Sequence, residues 1–160
     1  MNQIVLKSSL ALLLILSIFA CKQEPISQEI QWTHHFENQE WDPFTNIEFD
    51  TTFKDTETAY GLVLEITLSS EYNQDVFSFG TTQSTDAGES IFIPSRTPVK
   101  NPKGAFIAKP NSEGLYVYQN IINPSVYFSK DQTYTFSLQN LSNKYDNFGV
   151  VKMKFAIRKN

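Results

Sequence analysis

Residues 151–158 read Val-Lys-Met-Lys-Phe-Ala-Ile-Arg. In an extended chain Val151, Met153, Phe155 and Ile157 share one side. Lys152, Lys154 and Arg158 take the other, with Ala156 among them. Side chains of a strand point alternately to opposite faces, so this segment fits a half-buried antiparallel strand and not a helix of period 3.6. The same alternation recurs upstream. Residues 133–138 carry Tyr134, Phe136 and Leu138, and residues 60–68 place Tyr60, Leu62, Leu64, Ile66 and Leu68 on one face. Residues 46–53 align Ile47, Phe49 and Phe53, and residues 75–81 carry Val76, Phe77 and Phe79. Residues 115–122 and 105–108 read as further strands around the turn at 109–114. Ile91-Phe92-Ile93 follows the turn Asp86-Ala87-Gly88-Glu89 and is expected to stop at Pro94. Residues 94–104, with three prolines, read as a long irregular connection.

About eight short one-faced strands must bury their apolar sides against one another. The expected fold is therefore all-β, an antiparallel β-sandwich, with a β-barrel as the alternative. An aromatic content of 14% suits strands. The chain has 160 residues, 41% hydrophobic and 19% charged, which suits one globular domain. Its net charge is −4 and no basic stripe occurs, so nucleic acid is not an expected partner.

Residues 1–20 read as a signal peptide. Lys7 gives a positive start, and residues 10–20 form an apolar run too short for a spanning helix, which needs about 20 residues. The run ends Ile18-Phe19-Ala20-Cys21, and Cys21 is the only cysteine. Ordinary cleavage wants small residues at −3 and −1, and Ile18 is bulky. The junction instead resembles a bacterial lipobox: aliphatic at −3, small at −1, cysteine at +1. That resemblance implies cleavage after Ala20 and acylation of Cys21, with chains such as palmitate anchoring the domain to a membrane. Residues 21–31 then read as a lipidated tether and 32–160 as the single folded domain.

Candidate sites are few. His34 and His35 are the only histidines, and in an extended segment they point apart, so a metal site is not expected and no cofactor is implied. No G-x-S-x-G elbow, phosphate loop or dinucleotide fingerprint occurs, and no enzyme is expected. Asp50-Thr51-Thr52 resembles a bacterial O-glycosylation acceptor. The aromatics Trp32, Phe36, Trp41 and Phe44 read mainly as packing residues for the incoming chain. Trp32, Trp41, Tyr116 and Tyr118 remain as an aromatic binding surface, for a glycan or a protein, if their rings point outward.

Several positions together resemble the gliding-motility lipoprotein H (GldH-like) family, as a divergent member. Trp41 stands near the domain start. Asp55, Thr56, Tyr60 and Leu62 fit a D-T-x-x-x-Y-x-L stretch, and Tyr72 follows the next strand. Tyr134, Thr135, Phe136 and Leu138 fit Y-T-F-x-I, with Asn140 in place of glutamine, and Phe148-Gly149-Val150 opens the last strand. The family's arginines are absent at Ser69 and Ser70 and around Leu141 and Ser142. The resemblance implies a lipid-anchored lipoprotein of the bacterial cell envelope, in the outer membrane. It would serve gliding motility or its linked secretion machinery, without enzymatic activity, by binding an envelope protein. The alternative is a lipoprotein that binds a ligand or glycan.

Overall fold

The computed structural model describes residues 29–142 and 147–160. Eight strands are present: β1 Ile30–His35, β2 Ile47–Thr52, β3 Tyr60–Leu68, β4 Val76–Thr85, β5 Ser90–Pro98, β6 Tyr116–Val126, β7 Thr133–Asn140 and β8 Val150–Lys159. They form two four-stranded antiparallel sheets. Sheet I has the order β1-β8-β3-β6 and sheet II the order β2-β7-β4-β5. The sheets remain separate, so the chain is a sandwich and not a barrel.

The alternation read from the sequence is what the two sheets bury. Leu62, Leu64 and Ile66 of β3, Phe155 and Ile157 of β8, and Phe77 and Phe79 of β4 are all at most 1% exposed. Phe136 of β7 meets Phe155 of β8 across the gap, their ring centroids 5.2 Å apart. β3 lies inside sheet I, and its outer residues Val63 and Thr67 are buried as well, covered from both sides by β6 and β8.

Three sequence expectations need correction. The folded part begins earlier than residue 32, because Ile30 and Gln31 already pair with Ile157 and Ala156. β5 does not stop at Pro94 but runs on to Pro98. Residues 105–108 form no strand and make only an isolated bridge, Phe106 to Lys100.

Only the β4–β5 hairpin joins neighbours within one sheet. Every other connection crosses between sheets. The antiparallel register therefore gathers the connections at two poles. Residues 36–46, 69–75, 99–115, 141–142 and 147–149 lie at one, here called the far pole. Residues 53–59, 86–89 and 127–132, the start of β1 and the C-terminus lie at the near pole.

Candidate functional site

Cys21 and Ala20 lie outside the described residues. The four candidate aromatics do not converge on one surface. Trp32 is half-buried and stacks on Phe49 at 4.8 Å, where the edge strands β1 and β2 meet. Trp41 is 1% exposed, packs against Phe77 and donates from Nε1 to the Thr45 carbonyl at 3.2 Å. On β6 the outward residue is Val117, at 39% exposure, so the tyrosines on either side turn inward. Tyr116 is half-buried and stacks on Phe106 at 3.9 Å. The Tyr118 hydroxyl is buried, donates to the Val99 carbonyl at 2.7 Å and accepts from Ala108 N at 3.3 Å. An aromatic platform made of these four is thus corrected: two rings are inside and two are packed on other rings. The ring of His34 packs edge-on against Phe36. Among the described residues no three His, Cys, Asp or Glu side chains are placed to hold a metal ion.

What the tyrosines do is fasten the connection 99–115. That connection contains two turns of the same construction. Asn101 Oδ1 accepts from the backbone N–H groups of Lys103 and Ala105, and Asn111 Oδ1 accepts from those of Glu113 and Leu115. Each turn closes through a glycine of positive φ, Gly104 at 79° and Gly114 at 77°, a conformation that costs a glycine little. Lys100 Nζ donates to the Tyr72 carbonyl at 2.6 Å and lies 4.8 Å from the centroid of the Phe106 ring. The far pole therefore carries an ordered projection and not a slack loop.

Beside it lies a cleft of about 540 Å³, lined among others by Gln74, Asp75, Ser78, Ser95, Arg96 and Ser142. A chain of side-chain hydrogen bonds builds its wall. Ser142 Oγ donates to Gln74 Oε1 at 2.8 Å, and Gln74 Nε2 donates to Asn147 Oδ1 at 2.7 Å. Ser142 N donates to Asn140 Oδ1, and Asn140 Nδ2 donates to the Trp41 carbonyl at 2.9 Å. The Asp75 carbonyl accepts from Val99 N and Lys100 N, and Asp75 and Arg96 are both exposed residues of the cleft lining. The lining holds no histidine or cysteine. Its chemistry is that of amides and hydroxyls flanked by one carboxylate and one guanidinium, which orients a polar ligand. Sequence reasoning did not find this site. Its lining comes from three separate stretches, and single Gln, Ser and Asn side chains carry no spacing signal.

No family model matches the chain, and no curated protein matches it. Among solved structures it is similar to dimeric latent PorU from Porphyromonas gingivalis, with 8% identity and a TM-score of 0.39, over 82% of this chain and 13% of that one. It is also similar to a structure of infectious bursal disease virus, Gx strain, with 9% identity and a TM-score of 0.25, over 82% of this chain and 31% of that one. The chain spans less than a third of either, and likenesses this distant carry no functional inference. The resemblance to the gliding-motility lipoprotein H family therefore rests on the sequence positions quoted above.

Proposed function

We propose that the protein is a lipid-anchored lipoprotein of the bacterial outer membrane, a non-enzymatic accessory of gliding motility or its linked secretion machinery that acts by holding an envelope protein. The observation that carries this reading is the junction Ile18-Phe19-Ala20-Cys21 between an apolar run and a polar flank. Two acyl chains or more on Cys21 hold a domain stably at a bilayer, each buried CH₂ contributing about 0.8 kcal/mol.

The fold supports the reading in one respect. β1 starts at Ile30, nine positions after Cys21, and it starts at the near pole. Anchoring through Cys21 turns that pole toward the bilayer. The ordered 99–115 projection and the polar cleft then face away from it, where a partner protein has access.

Metabolic labelling of cells with a fatty-acid analogue tests the anchor. Wild-type protein takes up label and sediments with membranes, whereas Cys21→Ser does neither. A Cys21→Ser protein that labels as wild type does would overturn the reading. Affinity capture from the native envelope, paired with a deletion strain scored for surface spreading, tests the accessory role. Normal spreading with no co-purifying envelope protein counts against it.

A further inference from the structure

The outer face of sheet II has a composition unlike the rest of the surface. β4 and β7 lie in its middle, and neither contains Asp, Glu, Lys or Arg. Their inward residues are the buried Phe77, Phe79, Phe136 and Leu138. By alternation their outward residues are Val76, Ser78, Gly80, Thr82 and Ser84 on β4, and Thr133, Thr135, Ser137 and Gln139 on β7. From Ser78 onward the result is a strip, two strands wide, of hydroxyl and amide side chains, bordered on the β2 side by Asp50, whose carboxylate accepts from Thr135 Oγ1 at 2.6 Å.

Gly80 breaks the hydroxyl row of β4, and the gap is filled from β5. A β-carbon on Gly80 would stand 2.4 Å from Cε2 and 2.6 Å from Cζ of Phe92. The Phe92 ring therefore lies down on the sheet over Gly80 and still keeps 50% of its surface exposed. Pro94, which pairs with Gly80, continues this apolar border toward Ser95 and Arg96. Ser78, Pro94, Ser95 and Arg96 also line the far-pole cleft, so strip, ring and cleft make one continuous surface. Within the strip Ser137 is 8% exposed and its Oγ has no hydrogen-bond partner among the described residues.

We infer that this face binds a neutral polysaccharide, which lays one sugar ring on Phe92 and threads the adjoining residues along the Ser/Thr/Gln strip into the cleft. The chemistry selects that occupant. A sugar ring offers an axial C–H face to an aromatic ring and a rim of hydroxyls that both donate and accept. Ser, Thr and Gln side chains match this rim in kind. An acidic polymer or nucleic acid needs several cations, and this surface has Arg96 alone. The core of a protein interface needs several desolvated apolar anchors, and here Phe92 and Pro94 are joined only by Val76 and Leu141 at the cleft. The inference does not depend on the anchor or on the motility role.

Affinity electrophoresis tests it. The full chain, purified in mild detergent, is run through gels containing laminarin, dextran or yeast mannan, and in parallel through polygalacturonate. The expected result is retardation by at least one neutral polymer and none by polygalacturonate. Phe92→Ala should weaken binding at least tenfold, and Gln139→Ala should weaken it severalfold. If Phe92→Ala does not fold, Thr82→Lys carries the test, because it sets a solvated charge in the middle of the strip and should abolish retardation. Failure of all three neutral polymers to retard the chain overturns the inference. So does retardation by polygalacturonate alone, or a folded Phe92→Ala or Thr82→Lys protein that binds as wild type does. None of these outcomes bears on acylation of Cys21, so the two readings fail separately.

Discussion

Thr81 sits in the core with a hydroxyl that bonds to nothing among the described residues, at 0% exposure and paired across the sheet with Leu138 and Ile93. A buried unpaired hydroxyl is a net cost, of roughly 1–3 kcal/mol for its desolvation. Valine has nearly the same shape, so Thr81→Val is expected to raise stability by about 1 kcal/mol once imperfect fit is allowed for, read as a higher urea midpoint. The reverse holds at Tyr118, whose hydroxyl both donates and accepts at the root of the 99–115 projection. Tyr118→Phe leaves the Ala108 N–H without its partner and the Val99 carbonyl with Ile107 N alone, and should cost about 1–3 kcal/mol. Limited proteolysis should then cut within 99–115 sooner than in wild type. Asp55 sets an acid limit. Its carboxylate accepts from Lys159 Nζ at 2.5 Å, from Thr58 Oγ1 at 2.9 Å and from Glu57 N at 3.1 Å. These bonds, that from Lys159 foremost, hold its pKa down from 3.8 to about 2. A folded-state pKa below the unfolded value means a stabilising contribution that is fully present above pH 4. It fades as pH falls from about 4 toward 2. Asp55→Asn should lower the melting temperature at pH 7 and flatten its fall through that acid window.

At the scale of the element, six of the eight strands are legible as alternation, because each sets at least one face on the core. The errors fall where another constraint speaks louder. Proline normally ends a strand, yet Pro94 and Pro98 lie within β5. The bonds Thr85 N to Glu89 O and Val99 N to Asp75 O fix the phase of this pair, in which odd-numbered β5 residues bond to β4. The even-numbered prolines turn their missing N–H groups to the open edge, where no bond is lost, and they cap that edge against further pairing. β1 was hidden for a different reason. It is an edge strand whose residues Gln31, Thr33, His34 and His35 are all exposed, so only Ile30 and Trp32 mark its inner face and no period emerges. The candidate site was illegible because its polar side chains are assembled by crossing connections, not by a motif. One glycine is made obligatory by the backbone around it. Gly149 has φ 88°, and a β-carbon there would stand 2.3 Å from Tyr72 N and 2.6 Å from Tyr72 Cα. Backbone cannot yield as a side-chain tip does. Gly149→Ala should cost about 1–3 kcal/mol from the left-handed conformation alone, and more from the collision. Thermal melting of that variant, set beside Gly88→Ala at the open β4–β5 turn, separates the two terms. Gly88 also has φ 88° but meets nothing within 4 Å, so it reports the conformational part.

For the molecule as a whole, the connections that cross between sheets also bind the two sheets into one cooperative unit. Strand order is set by those crossings, and no local pattern in the chain encodes them. Phe155 stands at the centre of this arrangement, in contact with Trp32, Phe49 and Phe136 from three other strands in both sheets. Phe155→Ala is expected to cost about 3–5 kcal/mol, and to lower a single unfolding transition without splitting it. Coincident curves from far-UV circular dichroism and tryptophan fluorescence check this, because Trp32 reports from the middle of the contact between sheets and Trp41 from the far pole. The same geometry gives the proposed anchor a consequence that sequence alone does not. The β4–β5 turn lies at the near pole with the start of β1, and the Asn101 turn lies at the far pole. Cys21 is the only cysteine in the chain, and acylation would consume its thiol, so a second cysteine becomes a unique reporter. In protein anchored to liposomes, Lys103→Cys at the far pole should react with a bulky maleimide as fast as it does in detergent. Ala87→Cys at the near pole should react several times more slowly than in detergent, since its turn faces the headgroups. Equal slowing at both positions would mean that the domain lies on its side. Slowing at Lys103→Cys alone would invert the orientation and set the polar cleft against the membrane, out of reach of any partner.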